Sequence, residues 1–267
     1  MIKSAVLGSP IAHSLSPLLH TTAYKELGIV HSYEAIEVGS GGLADFILPL
    51  DSSWTGFSLT MPLKEEAVVL ANEVDDLAAR INSANTLYRR DGKWKATSTD
   101  VVGFTNSLKM HGIEISGQVV ILGAGATARA AAAACDGFAN HITVVNRSIK
   151  RVKAMSAAVQ HSELSFVDWS GVSIIEDADL VISAAPAGVT DSVQIPSRVR
   201  APFFEALYKP WPTLASEQWA LRGGYVIDGL DLLIHQGIAQ MEIFSGVSVD
   251  NFDMYSRLRQ VGTAALS

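Results

Sequence analysis

Residues 119–129 are Val119-Val120-Ile121-Leu122-Gly123-Ala124-Gly125-Ala126-Thr127-Ala128-Arg129, near the middle of the 267-residue chain. The apolar residues that open this stretch are typical of a buried parallel strand, and the glycines after them predict a tight turn. The alanine-rich run from Ala128 to Cys135 has the highest helix propensity in the chain and predicts a helix. Strand, glycine turn and helix together predict the phosphate-binding start of a dinucleotide-binding fold.

The glycine turn has the spacing that a pyrophosphate site needs. Gly123 permits the turn, Gly125 lets the backbone approach the pyrophosphate, and the helix N-terminus supplies free N–H groups. Ala128 stands at the third glycine position of the G-x-G-x-x-G pattern, where alanine is allowed. We therefore expect a dinucleotide cofactor at this turn.

Composition and charge narrow the class of protein. Hydrophobic residues make up 48% and charged residues 18% of the chain, which is typical of a soluble α/β protein. The net charge of −7 makes nucleic acid and anionic membrane surfaces poor partners. No signal-peptide core opens the sequence, and no apolar run reaches the ~18 residues of a membrane helix. The single cysteine fits a reducing cytoplasm, and the seven histidines lack ligand spacing, so we expect no metal.

Strand and helix patterns alternate along the whole chain, which predicts an α/β protein with parallel sheets. The nucleotide-binding half begins near Val101, with its second strand predicted at His141–Asn146 and the helix after it at Ser148–Val159. The chain is long enough for two domains. The first 100 residues are therefore expected to form a separate α/β domain that presents the substrate.

A basic cluster follows the second strand of the nucleotide-binding half. Asn146-Arg147-Ser148 comes 23 positions after Gly123, where NAD-selective folds place an acidic residue for the ribose 2′-hydroxyl. Arg147, Lys150 and Arg151 stand there instead, and an arginine can grip a 2′-phosphate. The alternative is a solvated basic face, but cations are disfavoured at a helix start unless an anion is near. The cluster favours NADP over NAD.

Lys64 follows Thr60-Met61-Pro62-Leu63 at the start of a predicted helix. The N-terminal end of a helix is already positive, so a lysine is electrostatically misplaced there. A partly desolvated lysine is suited to acid–base chemistry. The alternative is a surface lysine whose charge is offset by Glu65 and Glu66, and the sequence leaves both interpretations open.

A hairpin brings two polar residues together. Asp91-Gly92 is the two-residue turn that matches strand twist, and counting back from it sets Asn85 opposite Ser98. Asp100 then shares a face with Asn85, as a diagonal neighbour about 7–8 Å away. Both side chains can contact one small ligand. Taken alone, Asp100 is better explained as the N-cap of a helix from Val101.

Three further polar segments are less decisive. In Ser14-Leu15-Ser16-Pro17, Ser16 is explained as a helix N-cap, whereas paired hydroxyls can also hold a carboxylate. Tyr208 precedes a proline-rich turn and a helix capped by Thr213, which predicts a position at the ligand-binding end of the sheet. Gln236 lies in the first turns of the helix after Gly229, exposed or facing a ligand.

Taken together, these segments resemble shikimate dehydrogenases in order and nearly in spacing along the whole chain. The stretches that carry the resemblance are Ser14-Leu15-Ser16-Pro17, Ser58-Leu59-Thr60-Met61-Pro62-Leu63-Lys64, Ser83-Ala84-Asn85-Thr86, Ser98-Thr99-Asp100, the glycine loop, Asn146-Arg147-Ser148, Ser183-Ala184-Ala185-Pro186-Ala187-Gly188, Tyr208-Lys209-Pro210 and Gly229 to Gln236. The resemblance implies NADP-linked reduction of 3-dehydroshikimate to shikimate, in chorismate and aromatic amino-acid biosynthesis. It also implies a substrate domain (1–100 and 237–267, completed by the C-terminal helix) and an inserted Rossmann-type, doubly wound NADP domain (101–236).

The resemblance assigns roles to individual residues. Lys64 and Asp100 are the implied catalytic pair, and Ser14 and Ser16 are expected to bind the substrate carboxylate. The implied ring-binding residues are Thr60, Asn85, Tyr208 and Gln236. The implied cofactor-binding residues are Gly123, Ala124, Gly125, Ala126, Thr127, Asn146, Arg147, Ser148, Lys150, Ala185 and Gly229. The partner is then a small anionic substrate, and we expect a monomer or homodimer.

The chain departs from the family pattern at three places. Family members commonly carry Asn at the positions of Ser58, Ser98 and Thr21. Ser58 and Ser98 are expected beside the substrate pocket, so quinate or an amino-shikimate are alternative substrates. Two competing functions are a folate-type methylene dehydrogenase and a non-catalytic NADP-binding regulator.

Overall fold

The computed structural model describes residues 1–266. The chain forms two compact units, the first made of Met1–Gly103 with the segment from Leu233 onward, the second of Phe104–Leu232. The domain limits expected from the sequence, at residues 100 and 236, stay a prediction.

The regular elements alternate as expected. The helices are α1 (Ser16–Glu26), α2 (Leu43–Ile47), α3 (Lys64–Leu70), α4 (Asp76–Ile81), α5 (Asp100–Met110), α6 (Ala126–Cys135), α7 (Val152–Ala158), α8 (Leu214–Leu221), α9 (Gly229–Ser245) and α10 (Asn251–Leu266). The strands are β1 (Ile2–Gly8), β2 (His31–Glu37), β3 (Gly56–Leu59), β4 (Glu73–Val74), β5 (Thr86–Arg90), β6 (Lys93–Thr97), β7 (Gln118–Leu122), β8 (His141–Val145), β9 (Glu163–Val167), β10 (Leu180–Ser183), β11 (Phe203–Glu205) and β12 (Val226–Ile227).

The first unit is built on a mixed sheet in the order β2-β1-β3-β5-β6-β4. β1 is parallel to β2 and β3, whereas β5 is antiparallel to β3 and β6. Leu7 pairs with Leu59, Ser58 with Thr86, and Thr86 with Thr97. The ends of β1, β3 and β6 therefore meet the start of β5 at one edge of the sheet.

The core of the first unit lies under these strands. The neighbouring residues Ala5 and Val6, which lie on opposite faces of β1, are both buried, as expected for a strand covered on both faces. The Phe57 ring packs against Trp54 and Phe46, with centroids 4.9 and 5.6 Å away. This apolar layer makes the edge described above a rigid support for polar side chains.

The second unit contains a wholly parallel sheet in the order β12-β11-β10-β7-β8-β9. β7 lies between β10 and β8, so the strand order reverses at the strand that precedes the glycine turn. In doubly wound sheets, ligands bind outside the carboxyl ends of the strands at such a point. The predicted fold class, a substrate domain with a Rossmann-type domain, is confirmed.

Two helix starts differ from the prediction. α6 begins at Ala126 instead of Ala128, because Ala126 is itself a strong helix former directly after the Gly125 N-cap. The helix predicted at Ser148–Val159 is wrong at its start: Ile149–Arg151 forms a 3₁₀ turn and α7 begins at Val152. Asn146 Nδ2 donates to the Ser148 carbonyl (3.2 Å), and this bond stabilises the loop between β8 and the 3₁₀ turn.

Within residues 1–266, no helix is both long and apolar enough to cross a bilayer. The same residues contain no cluster of three His, Cys, Asp or Glu side chains suited to a metal ion.

Candidate functional site

Lys64 and Asp100 form a largely buried ion pair. The Lys64 Nζ lies 2.5 Å from Asp100 Oδ2, and the two side chains are 13% and 6% exposed. Lys64 opens α3 and Asp100 opens α5. Glu66 has a different partner, since its carboxylate accepts the Gly41 N–H at 2.8 Å. The surface-lysine interpretation is therefore wrong for Lys64.

Asn85 connects this pair to the hairpin. Its Nδ2 donates to Asp100 Oδ1 (2.8 Å), so the two Asp100 oxygens accept from an amide and an ammonium group. The hairpin has the predicted register, and Asp91 and Gly92 both have positive φ, 55° and 75°. The prediction that Asn85 and Asp100 share a face is confirmed. The N-cap interpretation of Asp100 is wrong, because Asp100 is the first residue of α5 itself.

Gln236 joins the same cluster from α9. Its Oε1 accepts from Asn85 Nδ2 at 3.0 Å, and its Nε2 donates to the Leu233 carbonyl at 2.7 Å. The side chain is 8% exposed, so the exposed alternative for Gln236 is wrong. Four predicted residues, Lys64, Asn85, Asp100 and Gln236, are thus linked by hydrogen bonds.

Ser14, Ser16 and Thr60 belong to the same unit but have different hydrogen-bond partners. The prediction that Ser16 is an N-cap is wrong, since Leu15 occupies that position and the Ser16 N–H donates to Ser14 Oγ (3.3 Å). The Thr60 N–H pairs with the Leu7 carbonyl. A Cβ at Gly8 would lie 2.3 Å from the Thr60 methyl, so only glycine fits at the end of β1.

Ser58 and Ser98, where the chain departs from the family, are both buried. The Ser58 hydroxyl accepts from Tyr33 Oη and donates to Gln240 Oε1, each at 2.6 Å. Gln240 was not predicted from the sequence. The available signal was its position four residues after Gln236, on the same face of a helix.

The glycine loop fits a dinucleotide. Gly123 has φ +110°, and a Cβ there would meet the Ala184 carbonyl oxygen at 3.1 Å. Gly125 is the N-cap of α6 and has open space at its Cβ position. The first turn of α6 carries no acidic residue, so its N–H groups are suited to an anion. Ala124 is buried, whereas Ala126 and Thr127 are half-buried at the start of the helix.

The basic cluster lies at the same edge of the sheet. β8 is the neighbour of β7, and Asn146, Arg147 and Ser148 follow its carboxyl end. Arg147 and Lys150 are exposed, while Asn146 and Ser148 are half-buried. An exposed guanidinium beside the glycine loop has the charge and donor geometry that suit a 2′-phosphate.

The remaining predicted residues lie along β10, β11 and the start of α9. Ala185 is buried just after β10, and Tyr208 is half-buried after β11. At Gly229 a Cβ would lie 2.3 Å from the Ala206 carbonyl oxygen, so the helix start packs directly on the β11 loop. Tyr208 and Gln236 belong to different units.

Glu205 is a further residue that sequence reasoning missed. It is fully buried at the end of β11, and burial raises the pKa of its carboxyl to about 7. Its oxygens accept from the Leu207 N–H (3.2 Å) and Thr213 Oγ1 (3.0 Å), which ties down the segment that carries Tyr208. Thr213 caps α8 through the Ser216 N–H, as predicted. A carboxylate next to Phe203 and Phe204 was the available signal.

The fold and these residues define a class: a dehydrogenase with one Rossmann unit and one unit that carries a buried Lys–Asp pair. A family model described as the shikimate dehydrogenase substrate binding domain matches residues 6–87. A second, described as shikimate / quinate 5-dehydrogenase, matches residues 109–190.

Individual relatives and solved structures of the same family are similar to nearly the whole chain. A shikimate dehydrogenase (NADP(+)) of Ignicoccus hospitalis is 34% identical over 262 residues, which cover 95% of this chain and 97% of the relative. The crystal structure of Mycobacterium tuberculosis shikimate dehydrogenase superposes with a TM-score of 0.85 at 34% identity, covering 97% of this chain and 99% of that one. The crystal structure of a shikimate 5-dehydrogenase of Thermus thermophilus, in complex with NADP(H) and shikimate, superposes with a TM-score of 0.85 at 30% identity. The superposition covers 98% of this chain and 100% of that one. The chain belongs to the shikimate dehydrogenase family.

Proposed function

We propose that this protein is an oxidoreductase that reversibly reduces 3-dehydroshikimate to shikimate with NADP, in the pathway to chorismate and the aromatic amino acids. The observation that carries the proposal is the hydrogen-bonded group of Lys64, Asp100 and Asn85 in a chain of this family. The Thermus relative binds both NADP(H) and shikimate, which supports the same pair of ligands here.

Lys64 acts on the substrate oxygen. When bound, NADPH supplies a hydride to the C3 carbonyl carbon of the substrate. The Lys64 ammonium stabilises the developing oxyanion and gives it a proton, which completes the hydroxyl. Asp100 holds the ammonium in place through its Oδ2. In the oxidation direction, Lys64 takes the hydroxyl proton back.

The polar residues of the first unit bind the substrate ring. Ser14 Oγ already accepts the Ser16 N–H, so its own hydroxyl hydrogen is available for the substrate carboxylate, together with that of Ser16. Thr60, Asn85 and Gln236 bind the ring hydroxyls, and the family resemblance adds Tyr208 to the ring-binding residues. This set of donors suits a small polyhydroxylated carboxylate.

The second unit binds NADP. Gly123, Ala124, Gly125, Ala126 and Thr127 hold the pyrophosphate, because they combine close backbone approach with a helix N-terminus. The remaining cofactor contacts come from Asn146, Arg147, Ser148, Lys150, Ala185 and Gly229. Arg147 and Lys150 bind the 2′-phosphate. We further propose a cytoplasmic monomer or homodimer without a nucleic-acid or membrane partner.

The test is a substrate profile of the purified protein. Shikimate, quinate and an amino-shikimate are each offered with NADP and with NAD, and the reduced-nicotinamide absorbance band is followed. We expect the highest kcat/KM with shikimate and NADP. Faster turnover of quinate or the amino-shikimate would identify that compound as the substrate instead of shikimate. NADP binding without any turnover would identify a regulator instead of an enzyme.

A further inference from the structure

Buried polar side chains next to Asn85 form a chain of hydrogen bonds in which each donor and each acceptor is defined. Gln240 is 1% exposed on α9, and both polar atoms of its side chain are hydrogen-bonded. Its Oε1 accepts from Ser58 Oγ (2.6 Å), while its Nε2 donates to the Asn85 carbonyl (2.9 Å) and to Thr86 Oγ1 (3.0 Å). Both amide hydrogens of Gln240 are therefore directed at protein groups.

The chain of hydrogen bonds begins at Tyr33. Burial raises the pKa of the Tyr33 hydroxyl, so it stays a donor, and it donates to Ser58 Oγ. The Ser58 hydrogen is therefore directed at Gln240 Oε1. Together with the Asn85 main-chain carbonyl, which can only accept, this orients the Gln240 amide so that its NH₂ group faces β5.

The chain of hydrogen bonds continues from Gln240 to Asp100. Because Thr86 Oγ1 accepts from Gln240, its own hydrogen is donated to Asn85 Oδ1 (2.9 Å). The Thr99 N–H also donates to Asn85 Oδ1 (2.8 Å). With its oxygen fixed, Asn85 presents Nδ2 to Asp100 Oδ1 at 2.8 Å.

We propose that Gln240 is a positioning residue, which orients the Asn85 carboxamide and through it the Asp100–Lys64 pair, with Tyr33 and Ser58 fixing the orientation of Gln240. Gln240 and Gln236, one helical turn apart, hold Asn85 by its main-chain carbonyl and its side-chain amide respectively. The inference rests on the proposed function for its kinetic consequence but not for its geometry.

The kinetic test compares Gln240→Leu, Ser58→Ala and the double variant. Gln240→Leu keeps the volume and removes the hydrogen bonds, so kcat with shikimate falls about 10- to 100-fold, as expected for a small misplacement of catalytic groups. The KM for NADP stays within about 2-fold of the parent value. The losses of kcat from Ser58→Ala and Gln240→Leu are markedly less than multiplicative, because both act through one chain of hydrogen bonds.

The matched control is Gln118→Leu, which removes a glutamine bonded to Thr143 in the second unit and leaves kcat unchanged. Tyr33→Phe is the milder variant if Gln240→Leu does not fold, and it lowers kcat in the same direction. Parental kcat in Gln240→Leu, or multiplicative losses in the double variant, overturns the proposal.

A crystal structure of Gln240→Leu, or of Ser58→Ala if that folds better, separates this inference from the proposed function. We expect the Asn85 carboxamide to rotate or withdraw from Asp100. An unchanged Asn85 overturns the inference whatever the substrate is. A parent enzyme without turnover contradicts the proposed function alone.

Discussion

Lys64 shows how the neighbours of one residue can support the chemical role that we propose for it. At the start of α3 the helix dipole disfavours its positive charge. The Asp100 carboxylate, whose Oδ2 lies 2.5 Å from the Lys64 Nζ, supplies the compensating negative charge. In the proposed function, the ammonium group held in this way exchanges a proton with the substrate oxygen.

Replacing Lys64 by alanine should lower kcat by roughly 10²- to 10⁴-fold, the usual contribution of a positioned acid–base group. Circular dichroism should show an intact fold. The matched control is Lys93→Ala, because Lys93 pairs with Glu73 in an exposed ion pair (3.0 Å) away from Asn85. Near-normal turnover of Lys64→Ala would remove Lys64 from the chemistry.

The β5–β6 hairpin is the element that brings Asn85 to Asp100. Its turn requires left-handed backbone at both Asp91 and Gly92, which favours glycine at the second position. The register that this turn sets continues to Thr86 and Thr97. The turn therefore determines which side chains reach the site.

Gly92→Ala should lower the free energy of unfolding by about 1 kcal/mol, because φ is +75° although space is open around the Cβ position. Gly39→Ala is the control, since Gly39 has equally open space without a positive φ. Urea unfolding of both variants measures the difference. Equal effects would show that backbone strain at the turn is unimportant.

The loop after β8 is the element expected to select the cofactor. Arg147→Ala should weaken NADP binding by at least ~10-fold and NAD binding little, because only NADP carries the 2′-phosphate. Titration of both cofactors measures this. Arg222→Ala, an exposed arginine bonded to Gln218 on α8, is the control. Equal losses for NADP and NAD would contradict the 2′-phosphate role.

At the scale of the whole molecule, Glu205 couples stability to pH. Its pKa is about 7 in the folded protein against an ordinary value of 4.5, because burial disfavours the carboxylate. The folded state therefore binds more protons than the unfolded state between these values. The associated stability is fully present below about pH 4.5 and is lost as pH rises to about 7.

Glu205→Gln should remove this dependence. Relative to the variant, the parent should lose up to about 3 kcal/mol of unfolding free energy between pH 5 and pH 8. Urea unfolding at each pH measures the difference. Glu217→Gln, which removes an exposed carboxylate from α8, reports the effect of losing a charge alone. A parent–variant difference that does not change with pH would contradict the role of Glu205.

Much of the local structure could be predicted because it follows from short-range patterns. The β7–glycine–α6 unit, the Asp91-Gly92 hairpin and the Thr213 cap depend on propensity, turn geometry and periodicity. Helix starts were less predictable. Leu15 is the N-cap of α1 where Ser16 was expected, and the helix after β8 begins later than expected, at Val152. In both places a nearby side chain bonds the backbone at the helix start: Ser14 Oγ accepts the Ser16 N–H, and Asn146 Nδ2 donates to the Ser148 carbonyl.

The sequence alone determined the dinucleotide fold, the hairpin register and, through the family resemblance, the candidate residues. It could not tell whether the side chains of Lys64 and Gln236 are buried or exposed, because their partners lie 36 and 151 positions away. Nor did it reveal Gln240, which bonds to Ser58 at a distance of 182 positions in the chain, or Glu205, whose pKa depends on its burial. Only the tertiary structure decided these, since burial and donor–acceptor direction are properties of the packed chain.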